Sequence, residues 1–100
     1  MAVTYTVLYP RGSVFDPDYY ANKHMPMAKK LLPTEVLSYE VYSFGDDDLY
    51  TIQCDIEFAS DEAYHGWKDT EGGKKLLEDL KNFSTEEPVI MRRNHMVSSS

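Results

Sequence analysis

This chain has one cysteine, no long apolar run and few basic residues, and each shortage removes a class of protein. With Cys54 alone, no intrachain disulfide can form, so a packed core must hold the fold. No apolar stretch approaches the ~20 residues of a membrane span, and the N-terminus lacks a basic-then-apolar leader. A soluble, cytoplasmic protein with no membrane partner is the expectation. Ten lysines and arginines against seventeen acidic residues give a formal charge of −7, the wrong sign for a phosphate backbone. Lys29-Lys30, Lys74-Lys75 and Arg92-Arg93 are only doublets, so no nucleic acid is expected. Glycine-rich phosphate loops, a serine elbow and a CxxC pair are all missing, so nothing asks for NAD, a flavin or a nucleotide. No cofactor is expected. His65 and His95 have no ligand spacing with His24, and Asp46-Asp47-Asp48 lacks the spaced ligands and distal glutamate of a calcium loop. No metal is expected either.

What is present is ample apolar and aromatic material. Hydrophobic residues make up 42% of the chain and aromatics 13%, enough for a globular core. One hundred residues fit a single domain, expected over residues 1–97, with 98–100 a frayed tail. Cys54 falls in a strand pattern and reads as a small core residue rather than a nucleophile.

Val3 to Tyr9 alternates, with Val3, Tyr5, Val7 and Tyr9 on one face, and Pro10-Arg11-Gly12-Ser13 breaks it as a loop. Asp16 followed by Pro17 is a helix start, a carboxylate N-cap and then a proline where no N–H is needed. Tyr20, His24, Met27 and Leu31 recur at helical spacing as one stripe. Pro26 cannot bond the Asn22 carbonyl, which predicts a kink beside His24, and the helix stops before Pro33. Val36 to Phe44 is a second strand with Leu37, Tyr39 and Val41 on one face, closed by a turn at Gly45-Asp46-Asp47-Asp48. In the third strand Tyr50, Ile52, Cys54, Ile56 and Phe58 face one way and Thr51, Gln53, Asp55 and Glu57 the other. Asp61 is expected to cap a helix carrying Ala63, Tyr64 and Trp67. Gly72-Gly73 interrupts that helix before Leu76, Leu77, Leu80 and Phe83 resume its stripe. Pro88 precedes a last strand from Val89 to about His95.

The order β-α-β-β-α-β is that of an α+β, ferredoxin-like sandwich: a four-stranded antiparallel sheet with both helices on one face. The other face carries Thr4, Thr6, Gln53 and Asp55, too polar for a dry core. Two strand edges also stay open. Pairing two such sheets as a dimeric α+β barrel covers both, so a homodimer is expected. The alternative of an RNA-binding module is disfavoured by the charge and by an open face without stacking aromatics.

The helix-covered face holds the candidate site. Tyr5, Tyr9 and Tyr39 point from the sheet toward the His24 helix, and Trp67 approaches from the second helix, the profile of a ligand pocket. Tyr20 and Met27, on the stripe of His24, complete the candidate substrate-binding set of Tyr5, Tyr9, Tyr20, Met27 and Trp67. An imidazole with an ordinary pKa of ~6.5 both takes and gives a proton at neutral pH, and a tyrosine hydroxyl polarises a carbonyl or enolate oxygen. The bland reading is a satisfied core histidine among tyrosines that merely fill a sheet–helix interface.

Tyr9-Pro10, Phe15-Asp16, Tyr19-Tyr20 and His24-Met25-Pro26-Met27 resemble the EthD family, named for an ethyl tert-butyl ether degradation protein. Asp79-Leu80-Lys81-Asn82-Phe83-Ser84 with the later Pro88 is similar to that family's D-[I/L]-x-N-[F/Y]-[S/T] segment. The resemblance implies a dimeric α+β barrel with a cleft between sheet and helices. Relatives include a muconolactone isomerase and fungal polyketide dehydratases or decarboxylases, which work without a cofactor. It places His24, the histidine of the H-x-P motif, in the cleft as the catalytic residue, with Tyr39 as its companion.

Two functions are therefore carried forward. One is a cofactor-independent enzyme acting on a small cyclic or aromatic oxygenated metabolite, as an isomerase, dehydratase or decarboxylase. There His24 moves a proton while Tyr39 and Tyr5 hold the oxygen. The other is a non-catalytic small-molecule-binding or accessory protein serving an oxidase or degradation pathway.

Overall fold

The computed structural model describes every residue except Ser13 and Ser100, which take in one position of the expected loop and one of the expected tail. Strand β1 (Val3–Pro10) buries Val3, Tyr5, Val7 and Tyr9 and leaves the alternate residues half-buried, as its two-residue period requires. Pro10 belongs to this strand rather than to the loop. A helical run follows as α1 (Pro17–Tyr19), a π-helical turn (Tyr20–His24) and α2 (Met25–Leu31). Strands β2 (Val36–Ser43) and β3 (Tyr50–Phe58) form a hairpin, and α3 (Asp61–Gly66), a 3₁₀ turn (Trp67–Asp69) and α4 (Glu71–Asp79) make the second helical run. A last 3₁₀ turn (Leu80–Asn82) leads to β4 (Val89–Arg93), two residues shorter than the sequence suggests.

The four strands pair antiparallel in the order β2-β3-β1-β4, so β2 and β4 are the edges. This is the ferredoxin-like α+β sandwich expected from the element order. The core lies between the inward strand residues and the helices, where Tyr20, Met25, Ala28, Leu32, Leu76 and Phe83 pack on the sheet. Burying an aromatic such as Phe83 contributes about 2–3 kcal/mol. No helix among the described residues is long and apolar enough to cross a membrane.

Four local expectations change. The 17–31 helix is relieved by a π turn: the Met25 N–H reaches back to the Tyr20 carbonyl, and Pro26 falls in the first turn of α2, where no N–H is needed. The extra residue rotates everything after it. Met25, Ala28 and Leu32 become the buried face, while Met27 and Leu31 are only partly buried. Second, Leu37 does not face inward. A bulge between Val36 and Ser38 turns it out to 44% exposure, while Tyr39 and Val41 keep the inward side. Third, Ser60 rather than Asp61 caps α3, its hydroxyl accepting from the Ala63 N–H, and Asp61 instead pairs with Arg92 at 3.0 Å. Fourth, the break in the second run lies at Trp67–Thr70, and Gly72 and Gly73 sit inside α4, whose N-cap is Thr70.

The open face is polar at its centre. Thr6 donates to Asp55 Oδ1 at 2.9 Å, Gln53 donates to the same oxygen, and Arg93 lies 3.1 Å from Asp55 Oδ2. It is not free of aromatics: Tyr42, paired with Gln53, is 44% exposed and donates to Glu40.

Candidate functional site

A cavity of about 330 Å³ opens between the sheet and the two helical runs. Tyr9 and Val7 of β1 and Ile56 and Phe58 of β3 form its floor, while Tyr20, His24 and Met25 supply one wall. Trp67, Leu76 and Leu80 supply the other, and Lys68 and Glu87, both exposed, stand at its rim. His24, Tyr9, Tyr20 and Trp67 are thus brought together as the sequence suggests. Three candidates are not. Tyr5 stacks face to face on Tyr64, with centroids 3.6 Å apart and planes within 7°, outside the cavity lining. Tyr39 packs on the core from the edge strand β2 and does not line the cavity. Met27 is turned away by the π turn, and Met25 takes its place.

The residue that sequence reasoning missed is Asp79. Its Oδ2 lies 2.9 Å from His24 Nδ1, and its Oδ1 accepts from the Tyr19 hydroxyl at 2.6 Å and from the Asn82 amide at 2.8 Å. The carboxylate is 9% exposed, so these donors replace the water it has lost. The contact joins the middle of the first helical run to the end of α4, and the local chain explains how. Asp16 caps α1 by accepting from the Tyr19 N–H. The Asp16 N–H bonds the Phe83 carbonyl at 2.8 Å, and Phe15 bridges to Ser84. The segment after β1 is thereby laced to the segment after α4, which brings Tyr19 and His24 within reach of Asp79. The Phe83 ring lies 4.5 Å from the imidazole and Tyr20 stacks on it at 5.6 Å, the three rings forming one cluster with Tyr20 and Phe83 5.0 Å apart. Each residue of Asp79-Leu80-Lys81-Asn82-Phe83-Ser84 that resembles the family segment therefore has a physical task here.

A signal for Asp79 did exist. Leu76, Leu80 and Phe83 mark the inward stripe of the second run, and Asp79 falls on that stripe, three residues after Leu76 and four before Phe83. A carboxylate on a buried stripe must have partners, and the other helix carries the unassigned imidazole.

The electrostatics favour a neutral imidazole beside an ionised carboxylate. Burial lowers the His24 pKa below its ordinary 6.5, and the hydrogen bond and charge of Asp79 only partly oppose this. Burial acts to raise Asp79, but hydrogen bonds from Tyr19, Asn82 and His24 outweigh it and hold the carboxyl below 3.8. With an ionised acceptor at Nδ1, the ring proton belongs on Nδ1 and the lone pair on Nε2. Burial raises the Tyr9 and Tyr20 hydroxyls and pushes the Cys54 thiol up to about 12, so all three keep their protons at neutral pH. Cys54, fully buried in β3, is inert as a nucleophile.

The depressed His24 pKa makes a stability prediction. Between the folded value and 6.5 the unfolded chain binds the proton first, so stability is fully present above 6.5 and falls as the pH drops toward the folded value. Urea denaturation at pH 7.5 and 5.5 should show the loss. In His24→Gln that difference should shrink, and an unchanged difference would assign it to other groups.

The fold and the cavity define a ferredoxin-like α+β protein with a small-molecule-sized cleft between sheet and helices. Within that class the chain is similar in structure to EthD-like proteins. It matches an EthD-like protein of Ralstonia eutropha with a TM-score of 0.82 and 26% identity, over 99% of this chain and 96% of that one. An ethyl tert-butyl ether degradation family protein of Bacillus halodurans matches with a TM-score of 0.73 and 21% identity, over 96% of this chain and 100% of that one. The same fold occurs in SnoaB, a cofactor-independent oxygenase of Streptomyces nogalater, with a TM-score of 0.66 and 11% identity over 98% of each chain. No family model and no curated protein matches the sequence. The resemblance first seen in the motifs around His24 and Asp79 is thus met again in three dimensions.

Proposed function

We propose that this chain is a cofactor-independent enzyme that moves a proton on a small cyclic or aromatic oxygenated metabolite, in an isomerisation, dehydration or decarboxylation. The observation that carries this reading is the 2.9 Å contact between His24 Nδ1 and Asp79 on the wall of a largely apolar cavity. Asp79 holds the Nδ1 proton, so Nε2 is the base. It takes a proton from the carbon beside a carbonyl: the C–H bond breaks, an N–H bond forms, and the electron pair moves onto the carbonyl oxygen as an enolate. The imidazolium then returns the proton at another carbon or to a leaving group. Asp79 stabilises the transient cation, which burial alone would penalise. The rate should fall as the pH drops through the lowered His24 pKa, because protonation removes the base.

Deuterium incorporation tests the reading. The protein in D₂O should exchange the protons beside the carbonyl of 1-tetralone faster than the His24→Gln variant does, by about 10²-fold or more. Equal exchange by a folded His24→Gln variant would remove His24 from the chemistry. The second reading, a non-catalytic binding or accessory protein for an oxidase or degradation pathway, is favoured by the largely apolar lining and by phenols that keep their protons. Ligand binding without exchange would select it.

The chain is further proposed to act as a homodimer of single 1–97 domains in the cytoplasm, joined through the open sheet faces. In support, that face combines the Asp55 network with an apolar corner of Leu8, Val89 and Met91, the last two 43% and 50% exposed. The edges β2 and β4 are also uncovered. Light scattering at micromolar concentration should give twice the chain mass. Met91→Glu should shift the protein to monomer, since it sets a charge in the apolar part of the interface. A wild-type monomer would end the barrel arrangement while leaving the His24 cavity, which one chain builds alone.

A further inference from the structure

The shortest side-chain bond in the network around His24 and Asp79 comes from a residue that does not line the cavity. The Tyr19 hydroxyl donates to Asp79 Oδ1 at 2.6 Å, short enough for a charge-assisted bond, while the His24 contact at Oδ2 is 2.9 Å. The Asn82 amide donates to the same Oδ1 at 2.8 Å. Two donors thus sit on one carboxylate oxygen, and the imidazole has the other. No lysine or arginine among the described residues pairs with Asp79, so neutral donors and not a cation draw off its charge. Burial acts to raise the Asp79 carboxyl, and the Tyr19 bond is the largest of the effects that hold it down, ahead of Asn82 and His24. The same bond leads the causes that raise the Tyr19 hydroxyl above 10, so Tyr19 keeps its proton at neutral pH. Its ring lies along Phe83 at 6.2 Å and its N–H is held by Asp16 at 3.0 Å, which fixes the residue at both ends.

The other titratable groups around His24 do not offer this control. Tyr9 of β1, Tyr20 of its own run and the Cys54 thiol of β3 all keep their protons. Lys68 and Glu87, of opposite charge, stand at the exposed rim, and Lys23 is exposed on its own run. β2 brings only Val36 to the lining, α2 only Met25 and Ala28, and α4 only Leu76 and Leu77. We infer that Tyr19 is a positioning residue of the proposed proton transfer: its hydroxyl draws charge from Asp79 Oδ1 and so sets how strongly Oδ2 polarises the His24 imidazole. The inference rests on the reading of His24 as the base and names what tunes that base. Without the hydroxyl the carboxylate still holds the Nδ1 proton, but its charge is less shared and pulls harder on the ring. A base that grips its proton too tightly returns it slowly to the next carbon or leaving group.

The experiment is an NMR titration of the ¹⁵N-labelled histidine rings, which needs no ligand. The chain has three histidines, and His24→Gln identifies the signals of His24. Tyr19→Phe removes only the donor and keeps the ring on Phe83. Its imidazole should bind the proton about threefold more tightly than wild type, moving the titration to higher pH while the neutral ring keeps its proton on Nδ1. Asp79→Asn should move the titration the other way. Adding Tyr19→Phe to Asp79→Asn should then have little further effect, because the hydroxyl acts through the carboxylate. A residue that merely braced the fold would lower stability without this pattern. Should Tyr19→Phe fold poorly, Asn82→Ala removes the other donor to Oδ1 and should shift the titration in the same upward direction. An unmoved or lowered titration in the variant used overturns the inference. Deuterium exchange of 1-tetralone separates the two proposals. Wild-type exchange with an unmoved titration in Tyr19→Phe defeats the Tyr19 role alone. An upward shift without wild-type exchange leaves the tuning of His24 in place and defeats the catalytic reading alone.

Discussion

Replacing Asp79 by asparagine should leave a folded protein that has lost about 10²–10⁴-fold in proton-transfer rate. The new amide keeps an oxygen for the donors that now meet Oδ1, the Tyr19 hydroxyl and the Asn82 amide. Its NH₂ then faces His24 Nδ1 where a carboxylate oxygen stood at 2.9 Å. A donor at that point forces Nδ1 to become the acceptor, so the ring proton moves to Nε2 and the base is lost. The pH dependence should change as well. Asp79 partly offsets the effect of burial on His24, so without its charge the pKa falls further and the limb moves to lower pH. Asp79→Ala is a harsher change. It leaves Tyr19, Asn82 and His24 without their shared acceptor and should cost about 2–4 kcal/mol in urea denaturation. A folded Asp79→Asn variant that exchanges deuterium at the wild-type rate would show that the dyad is structural.

What the sequence disclosed and what it hid follow from the range of the interactions involved. The alternation in β1 and β3 and the Asp16-Pro17 helix start are local, and all three stand in the structure. The contact of His24 with Asp79 spans 55 positions, and the chain pairs them only because Phe15-Asp16 is laced to Phe83-Ser84. Periodicity cannot report such a pairing, although the carboxylate on the Leu76-Leu80-Phe83 stripe hinted that a partner was needed. The π turn is a different failure. Pro26 announced a disturbance, but a proline can kink a helix or be absorbed by an added residue, and only the latter exchanges Met27 for Met25 in the cavity wall. The displacement of Leu37 has the same origin in β2, where one bulged residue reverses the side it faces. Tyr39 kept its inward side and still missed the cavity, because β2 reaches the lining only at its start, through Val36.

Gly73→Ala should be among the most damaging single-methyl changes in the chain. A Cβ at position 73 would stand 1.8 Å from the Trp67 carbonyl oxygen and 2.8 Å from its carbon, and backbone cannot swing aside as a side-chain tip can. Gly72 is constrained in the same manner by Leu31, whose carbonyl oxygen would lie 2.6 Å from the added carbon. The glycine pair therefore does not break the second helix, as its sequence suggests. It lets the first turn of α4 approach both the Trp67 turn and the end of α2. Alanine gains about 1 kcal/mol of helix preference over glycine, but overpacking against fixed backbone costs about 3 kcal/mol or more. A net loss of about 2 kcal/mol or more should lower Tm by roughly 8–16 °C in a domain of this size. Gly66→Ala is the matched control. Nothing lies within 4 Å of its added Cβ and its φ of −97° suits any residue, so it should be neutral or stabilise by about 0.5 kcal/mol. The position of the indole should respond too, because the Trp67 carbonyl that must retreat belongs to the residue lining the cavity. Thermal unfolding followed by the emission of the single tryptophan reads both effects at once. If Gly73→Ala melts with Gly66→Ala and the indole environment is unchanged, the close approach of α4 to the Trp67 turn is not what holds that wall of the cavity.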